Sequence, residues 1–432
     1  MRVAIVGAGV GGLAAAYDLA RAAARVTIFE AADYVGGLAS GFRNDHWDWS
    51  VERYYHHWFA SDKEILDLID ELGLQDKVLF PRPVTAVYHE GDFYALDSPL
   101  AVLRFPGVSF IARLRLGLAV AYLKYLARWQ PLESVKASVW LERWVGERAY
   151  RIIWEPLLVG KFGPYYQDVN MAWFWARVKA RTPRLGTFEG GFQAFNDAFA
   201  EKLRQMGVQI HLATAVDLIE PGPDEGLFLT VKGVRERYDQ CLVTSSPDQL
   251  TRLTPSLPGA YLDRLLALQS MGAVVLILSL KHQLSEGGVY WHNLPKSAGF
   301  PFLSLVEHTN YVDAKHFGGD HIVYIGDYLD PDHEYFSLSK DELLERFLPS
   351  LPRFNPAFSP EWVRKSWMFR TAYAQPVPPL NHSKAIPSLK TPIPGLWFAS
   401  MSQVYPWDRG TNFAVAIARK AARSMLDEAR TG

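Results

Sequence analysis

The chain has 432 residues, 49% of them hydrophobic, and 45 Lys and Arg against 46 Asp and Glu give a net charge of −1. That is enough chain for two or three folded units, and the balanced charge calls for neither nucleic acid nor an anionic membrane as partner. A single cysteine, Cys241, excludes an internal disulfide and a CxxC metal or redox pair; within Tyr238 to Thr244 it reads as a small buried strand residue.

The first element is a short apolar run, Val3 to Val6, of the kind a buried parallel strand carries. It runs into a Gly7-x-Gly9-x-x-Gly12 turn and an alanine-rich helix from about Gly11 to Ala24. Gly7 permits the tight turn, Gly9 lets backbone approach a phosphate, and Gly12 lets the helix pack close on the strand. The helix start offers free N–H groups and the positive end of a dipole. The next apolar run, Arg25 to Phe29, ends in Glu30, placed to accept from a ribose hydroxyl. The pattern is that of a dinucleotide site, and the glycine pair Gly36-Gly37 tilts it toward FAD. Ala31 and Leu38, beside the acid and the pair, are expected cofactor contacts. A strand beginning at residue 2 leaves no room for a signal peptide, and the longest clean apolar run, Met271 to Leu280, is too short to span a bilayer. A cytoplasmic protein is expected.

Asp45 to Trp58 is dense in aromatics and contains His56 and His57. Ser61 to Glu64 reads as a capping box opening a helix that closes at Gly73, and Val84 to Leu96 as a hairpin. Residues 99–160 read mostly as helices. Leu103 to Trp129 is leucine-rich and punctuated by arginine. Such a helix can lie on a membrane surface, but a buried apolar face in a substrate domain is the favoured reading. Glu189 to Phe192 leads a helix from Ala194 to Gln205, followed by strands at Val208–Leu212, Ala215–Ile219, Leu227–Val231 and Gln240–Thr244. Residues 251–270 read as helical, Val274–Leu280 and His321–Tyr328 as strands, and Pro376 to Pro379 as a breaker. A strand, Gly395–Ser400, and a closing helix, Asn412–Ala429, end the chain.

Four blocks in order carry a resemblance across essentially the whole length: Gly7-x-Gly9-x-x-Gly12 with Glu30 and Gly36-Gly37; Glu189-Gly190-Gly191-Phe192 with the helix and strand after it, to Val216; the return strand ending at Thr244; and Gly395 to Ser400 followed by Gly410-Thr411-Asn412 opening a helix. The chain resembles the flavin amine oxidase superfamily, which includes monoamine oxidases, protoporphyrinogen oxidases, phytoene desaturases and, more distantly, UDP-galactopyranose mutase. The block Gln403 to Asn412 looks like that of a protoporphyrinogen oxidase-like bacterial branch of the superfamily.

The resemblance implies an α/β fold: a discontinuous Rossmann-like FAD-binding domain of the glutathione reductase/p-hydroxybenzoate hydroxylase type, with an α+β substrate domain threaded through it. The expected pieces are FAD-binding at 1–75, 186–250 and 379–432, and substrate domain at 76–185 and 251–378. It implies non-covalent FAD, because no cysteine lies in the C-terminal segment, with contacts also from Val216, Thr244, Ser400, Gly410, Thr411 and Asn412. Two departures stand out. Leu38 replaces the usual arginine after the glycine pair, and Ala399-Ser400-Met401 replaces the usual Ala-Gly-acid ending.

For chemistry, His56 or His57 is a candidate proton donor beside the flavin, against the plainer reading of ordinary core histidines. Neighbouring residues on an extended chain point to opposite sides, so the two are not expected to share a metal. Tyr405 and Trp407 are candidates for an aromatic pocket wall, and Arg370, Tyr373 and Gln375 for pocket residues. Lys161 is a weaker candidate. Asp408 and Arg409 either clamp a carboxylate or phosphate, or pair with each other. The expected activity is FAD-dependent hydride transfer from a C–N or C–C bond of a small or lipophilic molecule. The alternatives are a redox-neutral isomerase like UDP-galactopyranose mutase, a polyisoprenoid desaturase or isomerase, and a flavin-binding protein without turnover. The oligomeric state has no signal in the sequence.

Overall fold

A computed structural model describes residues 1–96, 98–222, 226–285 and 287–431. Its organising element is a five-stranded parallel sheet in the spatial order Gln209–His211, Arg25–Phe29, Arg2–Val6, Gln240–Val243 and Leu396–Phe398. Val3 faces Val26 on one side and Gln240 on the other, and Cys241 faces Leu396. Alternation along Val3 to Val6 builds two separate cores. Val3 and Ile5 pack under three helices, Val10–Arg21, Phe192–Gln205 and Thr411–Thr431. Ala4 and Val6 pack on a three-stranded antiparallel sheet, Val216–Pro221, Leu227–Val231 and Val234–Tyr238, which covers the other face. Cys241 lies fully buried in this second core, and burial pushes its thiol well up, which suits an inert packing residue.

A second, seven-stranded sheet runs Val363–Pro376, Ser270–Leu280, His321–Leu329, Ser304–Glu307, Val289–Asn293, Val84–His89 and Asp92–Ala95. Its pairs are antiparallel except for Val289–Asn293 with Val84–His89. Helices from 99 to 180 pack at its edge and include Met171–Ala180, which lies beyond the helical stretch expected from sequence. The region read as helical over 251–270 is instead Pro247–Leu253 and Gly259–Leu266, with a strand already running from Ser270. Among the described residues no helix is long and apolar enough to cross a membrane.

The expected capping box at Ser61 does not form. The Ser61 hydroxyl donates to the Ala180 carbonyl at 2.5 Å, and Asp62 turns back to accept the Phe59 N–H at 2.9 Å. The helix Lys63–Glu71 is capped from afar, its Ile65 N–H donating to Asn412 Oδ1 at 3.1 Å. The leucine-rich stretch also differs from expectation. Leu116, Ala119 and Leu123 are buried, but Phe110, Ile111, Leu114 and Leu118 on the other side of the helix are exposed.

Glu52, 1% exposed, joins the two sheets' territories. It accepts the Phe192 N–H at 3.0 Å, capping a helix whose own N-cap is Gly191, and lies 3.4 Å from the Tyr324 hydroxyl. Burial pushes its carboxyl up to about 7, against the opposing pull of these hydrogen bonds. A carboxyl whose folded pKa is raised binds its proton more tightly when folded. Its ionisation therefore removes stability as pH rises from the unfolded value of about 4.3 to the folded one. Glu52→Gln is expected to flatten that part of the urea midpoint-versus-pH curve; an unchanged slope between the two values would refute the assignment.

Candidate active site

A cavity of 560 Å³ opens at the carboxyl ends of the parallel strands. Gly7, Gly9, Gly11, Gly12, Glu30, Ala31, Gly36, Gly37, Leu38, Val216, Thr244, Ser400, Gly410 and Thr411 all line it. The helix Val10–Arg21 begins at Gly9 with no side-chain cap and no acid in its first turn, so its N–H groups face the cavity unanswered. Gly7 has a φ of +106°, which a side chain would strain. A Cβ on Gly12 would overlap the Gly7 carbonyl oxygen, and one on Gly37 would come within 3.1 Å of Gly9 Cα. The backbone is therefore bare where a pyrophosphate would approach. Glu30 accepts from Ala8 N–H at 2.7 Å and Ala32 N–H at 2.9 Å, one on each oxygen, leaving lone pairs on both for ribose hydroxyls.

The closing helix Thr411–Thr431 also starts at this cavity, after the exposed Gly410, and has no acid in its first turn. Its first two side chains serve as anchors. Thr411 Oγ1 accepts the Trp58 indole N–H at 2.9 Å, and Asn412 holds the helix at Lys63 to Glu71. Asn412 is thus outside the lining, a correction to its expected cofactor contact. Its side chain is spent on Ile65, 347 positions away in sequence.

At the other end the walls come from Tyr54, Tyr55 and His56, and from Val275, Asp327, Tyr328, Thr371 and Tyr373 of the seven-stranded sheet. Apart from His56 and Tyr373, these were not singled out from sequence; the aromatic density of residues 45–58 was the available signal. His56 Nδ1 bonds the Tyr54 carbonyl, so Nδ1 carries the proton and Nε2 offers a lone pair. Burial pushes the ring down to about 4. His56 is therefore a neutral acceptor near pH 7, which corrects the expectation of a proton donor.

His57 lies outside the lining, against Phe59 and Trp291, and burial pushes it down to about 3. Tyr405 and Trp407 wall no part of the cavity. Tyr405 donates to Glu133 Oε2 at 3.2 Å and packs on Trp129, while Trp407 stacks on Phe413, so both belong to the helical core. Arg370 is a further correction. It is exposed and donates to the carbonyls of Phe336 and Leu338, because neighbouring strand positions alternate faces and the cavity takes Thr371 and Tyr373.

Behind the cavity wall lies a polar network whose members run from Lys161 to Arg409 in the chain. Asp408 pairs with Arg177 at 2.9 Å and accepts from Trp173 Nε1 at 3.1 Å, Gln375 Nε2 at 3.1 Å and its neighbour's backbone N–H at 3.0 Å. Burial alone would push Asp408 up; Lys161, Arg177 and Arg409 overcome it and hold the carboxyl far below its ordinary range. Arg409 turns the other way and lines the cavity, with Nε on Gln375 Oε1 at 3.1 Å and its other end on the Tyr328 hydroxyl. The two neighbours therefore do not pair with each other through their side chains. Lys161 reaches the same Gln375 oxygen at 3.3 Å and sits 4.6 Å from the Tyr328 ring centre. Burial first, then Arg177 and Arg409, push it well below the usual ammonium range. Asp408 does not stand in for the acid missing after Ser400, since it is absent from the lining.

Residues 10–426 match the sequence model of the family described as flavin containing amine oxidoreductase. The chain belongs to that family. The family is one of flavin-containing amine oxidoreductases, and the chain's single cysteine, Cys241, lies buried in the central sheet, where it cannot form a cysteinyl bond to a flavin in the cavity. Among curated relatives, it is 30% identical over 174 residues to protoporphyrinogen oxidase, mitochondrial, of Nicotiana tabacum, covering 39% of this chain and 34% of that one. It spans about a third or less of the length of the plant and cyanobacterial relatives it matches in this way. In fold it is similar to cyclohexylamine oxidase from Brevibacterium oxydans IH-35A, with a TM-score of 0.75, 18% identity and 99% of each chain covered. It is equally similar in fold to reduced UDP-galactopyranose mutase, with a TM-score of 0.77, 16% identity, 99% of this chain and 96% of that one. At such identities these two establish the fold alone.

Proposed function

We propose that the protein oxidises a C–N or C–C bond of a small or lipophilic substrate. Bound FAD supplies the hydride acceptor. The observation that carries this reading is that two helix N-termini, uncapped at Gly9 and preceded by Gly410, open onto one cavity whose far end is walled by aromatic rings. In this reading the N–H groups after Gly9 hold the pyrophosphate, Glu30 the ribose, and the backbone at Val216 the adenine. The N–H groups at the start of the helix Thr411–Thr431 would face the flavin, and the helix dipole would favour negative charge on it. Tyr55 and Tyr328 exclude water and orient the substrate. His56 Nε2 accepts a proton or hydrogen bond from it.

The test is spectroscopic. The purified protein should be yellow, and anaerobic mixing with a substrate amine or a reduced C–C donor should bleach it without added reductant. A colourless protein that takes up no FAD would defeat the reading. So would bleaching by NAD(P)H alone with turnover only in the reduced state, which indicates a redox-neutral isomerase.

A further inference from the structure

We propose that the cavity selects an anionic group of its substrate, a carboxylate or a phosphate, and that Arg409 receives it. This rests on the flavin reading of the same cavity. Arg409 brings a guanidinium to a wall that is otherwise mostly aromatic and aliphatic. Its Nε and one terminal nitrogen are occupied by Gln375 and Tyr328, two neutral partners. Among the described residues no carboxylate lies in ion-pair range of Arg409 or of Lys161 behind it. Asp408 attracts both cations, but its single negative charge is shared with its ion-pair partner Arg177, and its oxygens are bonded to Arg177, Trp173, Gln375 and backbone rather than to the Arg409 guanidinium, so the network keeps an excess of positive charge.

Gln375 fixes the polarity of the arrangement. Its amide nitrogen donates to Asp408 and its oxygen receives both Lys161 and Arg409, so the two cations are turned away from the only acid in the network. Tyr328 lies against both, its ring centre 4.6 Å from the Lys161 ammonium and 5.0 Å from the Arg409 guanidinium carbon. A half-buried guanidinium with spare donors and no carboxylate bonded to it is a bidentate receptor for a carboxylate or phosphate. A protonated amine placed there would meet like charge in a weakly screened site.

The probes are benzoate, inorganic phosphate and benzylamine, titrated at constant ionic strength into the FAD-loaded protein while the flavin bands are recorded. Benzoate or phosphate should shift the bands saturably, benzylamine should not, and Arg409→Gln should weaken the anion by about tenfold or more, with Arg409→Lys in between. Benzylamine binding as well as the anions do, or wild-type anion affinity in Arg409→Gln, overturns the proposal. A protein that binds no flavin defeats the functional reading instead. Calorimetry of benzoate on that protein, judged by the same Arg409→Gln criterion, then decides the anion site by itself.

A separate observation carries a second inference: we infer that the helix Phe110–Ala121 docks on an anionic lipid surface. Arg113 and Arg115 apart, the helix is apolar, and only one side of it is covered. Phe110, Ile111, Leu114 and Leu118 are 47% to 70% exposed and fall within an arc of about 100° on a helical wheel. Tyr125 and Leu126 extend the face. Arg104, Arg113, Arg115, Lys124 and Arg128 flank it, residues 98–132 contain no acid, and among the described residues none of these five pairs with a carboxylate. Arg113, Arg115 and Lys124 donate only to backbone carbonyls, so their charges are not neutralised, and apolar side chains flanked by such cations match a bilayer carrying negative headgroups.

The holoprotein should float with vesicles of phosphatidylcholine plus phosphatidylglycerol, float less with phosphatidylcholine alone, and be released by salt. Ile111→Glu with Leu118→Glu should cut the bound fraction about tenfold while leaving the flavin content unchanged. No flotation on the anionic vesicles, or a dimer that this double variant splits, overturns the inference, the latter by assigning the face to a second copy.

Discussion

Gly12→Ala is expected to give a protein that purifies without FAD and melts at a lower temperature. The added Cβ would overlap the Gly7 carbonyl oxygen and lie 3.3 Å from Thr244 Oγ1. Neither neighbour can step aside. The Gly7 N–H is bonded to the Phe29 carbonyl at 2.8 Å, and Thr244 is bonded through both its N–H and its hydroxyl to the Val6 carbonyl at 3.0 Å. The helix would have to lift from the strand, which moves the very N–H groups that face the cavity. Overpacking of this kind costs about 1–3 kcal/mol and sometimes more. The control is Gly117→Ala, whose Cβ would meet nothing within 4 Å inside a helix. It should keep full flavin and gain up to about 1 kcal/mol from helix propensity. The flavin-to-protein ratio decides, and a fully loaded Gly12→Ala protein would remove the steric argument.

Asp408→Asn should be the most destabilising conservative change around the cavity, by about 3 kcal/mol, the lower end of the range for breaking a buried pair. The discount reflects side chains that are 17% and 19% exposed at Arg177 and Asp408. The variant leaves Arg177, Lys161 and Arg409 close together with no acid among them. Asp408 has its folded carboxyl held far below the unfolded value, by Lys161, Arg177 and Arg409 against the opposing effect of burial. Its stabilisation is therefore complete above the unfolded pKa of about 3.9 and is lost as pH falls toward the folded one. Urea midpoints of the two proteins should be well separated at neutral pH and converge in strong acid. A constant gap at all pH values would show that packing, not charge, is what the substitution removed.

The parts legible from sequence are those whose causes are local. Gly7, Gly9 and Gly12 announce a turn because each must lack a side chain for a reason confined to about forty residues, and the cavity lining contains all three. The helices and strands with clean periodicity, such as Phe192–Gln205 and Gln240–Val243, stand within a few residues of where the pattern puts them. The misreadings share one cause. Ser61 carries the spacing of a capping box, but Ala180 and Asn412 arrive from elsewhere in the chain and take the bonds. Tyr405 and Trp407 lie just before the closing helix, yet Glu133 and Trp129 draw the first into the helical core and Trp175 and Phe413 the second.

By itself, then, the sequence determined a dinucleotide cradle, the three stretches of chain that meet to form it, and the family they imply. It did so because strand, turn and helix follow from short-range sterics and apolar spacing. The tertiary structure alone decided what stands opposite that cradle. Whether Asp408 and Arg409 face each other depends on Arg177 and Gln375, and whether Arg370 or Thr371 meets the cavity depends on the strand's register against Ser270–Leu280. Those choices are made by contacts between residues tens to hundreds of positions apart, and no local pattern encodes them.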